Sequence, residues 1–163
     1  MTDTDREIVL VPVFFGPSLR NLLDHVFGYA NKVRTKIFLF HVLENISRYG
    51  KAMEHLSKVI QSEEDQLKRI ALEELDDVLN LRGHERDREQ IPKIETRIGN
   101  GKVWSEVLRM AGNISAQHIF LGAHDRENQE EAQIGSNAQR IVTMAPCTVT
   151  VVRAPNPQYV FTD

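Results

Sequence analysis

Gly135, Ser136 and Asn137 open a short helical pattern, and they are the residues here best suited to hold an anion. A helix starts with amides that no carbonyl of its own can satisfy, and its dipole adds partial positive charge at that end. Phosphate is the group such an end takes. A serine hydroxyl at the same place can add one more bond. Upstream, the apolar run Ile119–Leu121 ends on Gly122, where a missing side chain lets the backbone approach a ligand. Between Gly122 and Gly135 lies a polar loop with His124 and Asp125 near its start. His124 sits where an imidazole could touch a phosphate, or where it is only solvated. Asp125, Glu127, Glu130 and Glu131 oppose a single Arg126 in this loop. Like charges in close contact cost on the order of 1 kcal/mol each, so a triphosphate held here calls for a divalent ion such as magnesium. The plainer reading of Gly135-Ser136-Asn137 is a helix cap with no ligand, and the residues alone leave both open.

Other reactive side chains suggest little. His41 ends an apolar run and reads as a hydrogen-bonded buried histidine; His25, His55, His84 and His118 are scattered without ligand spacing. Cys147 is the one cysteine and has no neighbouring cation to lower its pKa, which makes it an inert thiol. No nucleophile–base–orienter spacing is present, so an enzyme is not expected, and slow ATP hydrolysis is the most that could be argued. No metal site is expected from the protein's own ligands.

The elements that position these residues alternate along the chain. Ile8–Phe15 is a continuous apolar run of the kind buried on both faces of a parallel sheet, and Lys36–Leu43 reads as a second buried strand. Ser18 is placed to cap a helix whose face is Leu19, Leu22, Leu23, Val26, Phe27, Ala30 and Val33, with Lys32 and Arg34 at its negative end. A long amphipathic helix covers roughly residues 52–81. Lys93–Ile98 alternates as a strand nearer an edge; Gly99-Asn100-Gly101 turns the chain into a third helix, which Gly112-Asn113 ends with a left-handed cap. Gln117–Gly122 is a fourth strand, Asn137–Ala145 a fourth helix, and Thr148–Val152 a fifth strand. This alternation calls for a parallel sheet covered on both faces. Ligands of such sheets bind beyond the carboxyl ends of the strands, where strand order reverses.

Composition bounds the rest. The chain has 163 residues, 41% hydrophobic and 26% charged, with a formal net charge of -3. That suits one globular domain and disfavours nucleic acid, which needs clustered cations. The acidic start is not a signal peptide, and no apolar run approaches the ~20 residues that span a bilayer. A cytoplasmic protein without membrane insertion is the default expectation.

Several stretches together resemble the universal stress protein family: Ile8-Val9-Leu10-Val11-Pro12-Val13, His41-Val42, Gly99-Asn100-Gly101, and the block from Ile119 through Gly122 and Gly135-Ser136 to Ala145-Pro146-Cys147-Thr148-Val149-Thr150-Val151-Val152-Arg153. The resemblance implies an α/β three-layer open sandwich, Rossmann-like and akin to the adenine nucleotide hydrolases. Its five-stranded parallel sheet would have order 3-2-1-4-5, with four helices. It implies a domain over residues 1–153 followed by a tail, 154–163. It also implies a homodimer paired through the last strand, here Thr148, Val149, Thr150, Val151 and Val152, and a stress-response role with an unknown protein client. Many members bind ATP through Gly-x-x-Gly, nine residues, then Gly-Ser or Gly-Thr. Here the spacing runs from Gly122 through Asp125 and nine residues to Gly135-Ser136, with Asp125 in place of the second glycine. Phe14 stands where nucleotide-binding members usually carry aspartate. By resemblance, Gly122, His124, Asp125, Gly135, Ser136 and Asn137 surround the phosphates of ATP or AMP with magnesium, while Pro12, Val13, Phe14 and Val42 surround the base. The alternative is a dimeric interaction protein of the same family that binds no nucleotide.

Overall fold

Two apolar runs build the middle of the sheet. β1 (Glu7–Pro12) and β2 (Thr35–Leu43) lie side by side in parallel, Val9 against Ile37 and Leu10 against Phe38. Val9, Leu10, Val11, Ile37 and Leu39 are fully buried, as a strand covered on both faces requires. β3 (Lys93–Asn100) joins β2, β4 (His118–Gly122) joins β1, and β5 (Thr148–Val152) joins β4, all parallel, giving the order β3-β2-β1-β4-β5. The computed structural model describes residues 3–44, 53–81, 91–123 and 134–153. The tail, the residues after β2, the charged linker and the loop carrying His124 and Asp125 lie outside them.

Four helices cover the sheet in two layers. α1 (Leu19–Ala30) and α2 (Met53–Leu81) pack on one face, where Leu23, Phe27, Leu67 and Ala71 meet Val9, Val11, Ile37 and Phe120. α3 (Val103–Asn113) and α4 (Ser136–Met144) pack on the other, where Val107, Ala111, Ala138 and Ile141 meet Leu10, Phe40, Ile119 and Leu121. Each fully buried large apolar side chain contributes roughly 1.5–3 kcal/mol. The crossover side changes between the β1–β2–β3 half and the β4–β5 half. The switch point therefore falls between the carboxyl ends of β1 and β4, where Phe14 and Gly122 lie.

Several boundaries differ from the sequence reading. β1 ends at Pro12, which has no amide of its own to donate, although the Val13 amide still bonds Phe40 O on β2. α1 stops at Ala30, so Lys32 and Arg34 lie past its last turn, and the Ser18 side chain makes no capping bond. α3 runs through Asn113, and the left-handed residue is Ser115 (φ 54°), not Gly112 or Asn113. β3 continues through Gly99 and Asn100. Gly99 has a packing reason: a Cβ there would stand 2.6 Å from the Phe40 ring, which is itself buried. Gly99→Ala should therefore lower stability by about 1–3 kcal/mol, read as an earlier urea midpoint at unchanged slope.

At the amino end of the sheet a polar cluster joins four elements. The Tyr29 hydroxyl donates to Glu7 Oε2 at 2.6 Å. His118 Nδ1 lies 3.3 Å from Glu7 Oε1, and its Nε2 lies 2.8 Å from Thr150 Oγ1. The imidazole stacks on Phe120, ring centroids 4.2 Å apart. With the Nδ1 proton directed at Glu7 and the Thr150 hydroxyl directed at Nε2, every close polar contact of the ring is satisfied. The cluster fastens the edge strand β5 to β1 across β4. Burial, then the bond to Glu7 and its charge, pushes the Tyr29 phenol from 10.0 up to about 12. The folded state thus keeps a proton that the unfolded chain gives up near pH 10, and stability should fall as pH rises from about 10 to 12. A phenolate titration at 295 nm should contain a late tyrosine that is absent in Tyr29→Phe.

Candidate nucleotide site

The carboxyl ends of β1 and β4 and the first turns of α3 and α4 enclose a crevice. Pro12 and Phe14 form one wall, Leu121 and Gly122 the next, Val103 the floor, and Gly135, Asn137, Ala138 and Ile141 the α4 side. It brings together five of the expected residues: Pro12, Phe14, Gly122, Gly135 and Asn137. Its volume is about 20 Å³, enough for one water and far from the several hundred Å³ a nucleotide occupies. Phe14 lines it, half-buried against the α3–α4 core.

Other expected residues sit elsewhere. Val13 is 1% exposed and faces the α1–α2 core, one residue out of phase with Phe14. Val42 lines an adjoining open groove of about 310 Å³ with Phe14, Phe15, His41, Leu43, Glu44 and Glu63. Phe14 thus separates the crevice from the groove. Ser136 is exposed at the start of α4.

The α4 start has the form an anion site needs, with one group already taken. The Gly135 amide donates to Ala123 O at 2.8 Å, which pins the two ends of the intervening loop together. Ala123 in turn donates to Val152 O at 2.9 Å, tying that closure to β5. Gly135 is the N-cap (φ -58°, ψ 155°), a conformation open to any residue, and no side chain caps the helix. As a glycine, Gly135 offers no side-chain oxygen to the first-turn amides of α4, which have no carbonyl of their own helix to bond. Gln139 braces the turn by donating from Nε2 to Ile134 O at 2.9 Å. Among the described residues, no group of three or more His, Cys, Asp or Glu side chains could hold a metal ion. Burial raises the Cys147 thiol pKa, consistent with an unreactive residue.

One functional candidate escaped the sequence reading. His41 was expected to be buried; it is half-buried, and its Nδ1 bonds Val13 O at 2.9 Å, at the turn that carries Phe14. Its ring lies edge-on to Phe15 and Phe14, centroids 4.9 and 6.2 Å away. A histidine ending an apolar strand was the available signal, but its partner lies 28 residues away.

A model of the universal stress protein family matches residues 6–153. The chain belongs to the universal stress protein family. No match is found among curated proteins. Among solved structures it is similar to the universal stress protein UspA from Lactobacillus plantarum, at 19% identity and a TM-score of 0.68, over 90% of this chain and 97% of that one. A universal stress protein in complex with cAMP matches at 14% identity and a TM-score of 0.57, over 91% and 98%. The universal stress protein from Archaeoglobus fulgidus in complex with dAMP matches at 15% identity and a TM-score of 0.52, over 90% and 96%. At such identities the likeness lies in the fold. No described helix is long and apolar enough to cross a membrane.

Proposed function

We propose that this chain is a nucleotide-responsive module of its family, a single domain ending near Arg153 that works in the cytoplasm as a homodimer. Its ligand is an adenine nucleotide, ATP or AMP, with the phosphates on the first turn of α4 and magnesium shielding them from the acidic loop. The observation that carries this reading is the glycine-led start of α4, which lines one crevice with Gly122 at the switch point. Family neighbours in complex with cAMP and dAMP support the adenine class. The half-filled crevice argues for weak binding, since the base enters only after Phe14 moves.

Support for pairing comes from the two sheet edges. β3 exposes Lys93 and Arg97, charges that discourage strand addition, whereas β5 carries Val149, Val151 and Val152. α4, which leads into β5, leaves Val142 45% and Met144 57% exposed.

Thermal unfolding with ATP, AMP and tripolyphosphate, with and without magnesium, tests the reading. Ligand at ~100 times its dissociation constant should add about 2.7 kcal/mol of stability, a midpoint shift of roughly 5–10 °C for a chain this size. No shift at millimolar concentration would favour the second reading, which the closed crevice also supports: a dimeric interaction protein with no nucleotide.

A further inference from the structure

Pro12 ends the β1 ladder, yet the next peptide units are held as firmly as a strand. The Val13 amide donates to Phe40 O at 2.9 Å. The Val13 carbonyl, which a strand would pair through backbone, is instead bonded at 2.9 Å by a side chain, His41 Nδ1. A carbonyl has no proton to give, so Nδ1 carries the hydrogen. That carbonyl belongs to the planar Val13–Phe14 peptide. Fixing its orientation fixes the bond from which Phe14 departs. From that bond Phe14 reaches the wall of the crevice, whose volume is about 20 Å³. The imidazole also packs edge-on to Phe15 and Phe14, so the turn is held by ring contacts as well as by the bond.

We propose that His41 is a positioning residue for the nucleotide site: it latches the β1–α1 turn so that Phe14 stays in the base crevice, and thereby sets the affinity for the base without touching the phosphates. The inference rests on the nucleotide reading above. A protein whose competent state is rarely populated binds more weakly by that fraction, and releasing the latch raises the fraction.

The test separates base from phosphates. ATP and tripolyphosphate are titrated by calorimetry into wild type, His41→Phe and His41→Asn. Phenylalanine keeps the ring packing and removes the donor; asparagine keeps a short N–H donor. His41→Phe should bind ATP about fivefold more tightly, the equivalent of one net hydrogen bond, with tripolyphosphate unchanged. His41→Asn should stay within about twofold of wild type for both ligands, and it alone decides the matter if His41→Phe does not fold: a gain in ATP affinity there sinks the latch. In a Phe14→Ala background, His41→Phe should change nothing, because the gate is gone. Unchanged or weaker ATP binding by His41→Phe overturns the proposal, as does an equal shift for ATP and tripolyphosphate; both leave the nucleotide reading standing. Binding of neither ligand by any variant overturns the two together.

Discussion

Phe14→Asp is expected to bind ATP about 10- to 100-fold more tightly than wild type. Two effects point the same way. Removing the ring takes a large side chain from the wall of a crevice of only about 20 Å³. A carboxylate adds a charged acceptor for the amino group of a base, and hydrogen bonds to charged groups contribute about 1.5–3 kcal/mol. Phe14→Ala separates the effects, since it opens the crevice and supplies no acceptor; it should gain less than half of the aspartate's logarithmic improvement. Calorimetric titration at fixed magnesium measures both. Equal affinities in wild type and both variants would mean that the base does not enter beside Phe14.

If the chain pairs as proposed, Val151→Pro should convert the dimer to a monomer without unfolding the chain. The Val152 carbonyl is turned toward β4, where Ala123 donates to it. Peptide groups alternate along a strand, so those of Val149 and Val151 point away from the sheet. Proline at 151 removes an outward donor and leaves the β4–β5 ladder whole, the one setting in which strands accept proline. Light scattering at micromolar concentration should report a twofold drop in mass, with far-ultraviolet circular dichroism unchanged. A wild-type monomer, or a dimer that survives the substitution, would show that β5 is not the pairing edge.

Much of this fold could be read from the chain because its middle strands are written without compromise. The buried centres of β1 and β2, residues 9–12 and 37–40, are apolar runs, and α1 between the two strands shows one apolar stripe. The closing block could place Gly122 and Gly135 together because one ends an apolar strand and the other starts a helix that leads straight into the next parallel strand. Side-chain direction was harder to read. Val13 and Phe14 are neighbours in sequence, but strand alternation sends one to each core, and only Phe14 reaches the crevice. Val42 likewise opens onto the groove. The cluster of Glu7, Tyr29, His118 and Thr150 was invisible, because its members come from four elements and meet only once β4 is laid between β1 and β5. The left-handed residue after α3 was misplaced for a local reason. Gly112 and Asn113 suit that conformation, yet helical bonding carries past them, and Ser115 takes it while the Ala116 amide returns to Ala111 O.

Where the phosphates sit decides the proposed function. Amide chemical shifts followed during titration of the wild-type protein with magnesium ATP test it most directly. The largest changes should fall on Gly122, Ser136, Asn137 and Ala138, with smaller ones at Phe14. Changes centred anywhere else on the molecule, or none at millimolar ATP, would contradict the assignment of α4's first turn as the phosphate site.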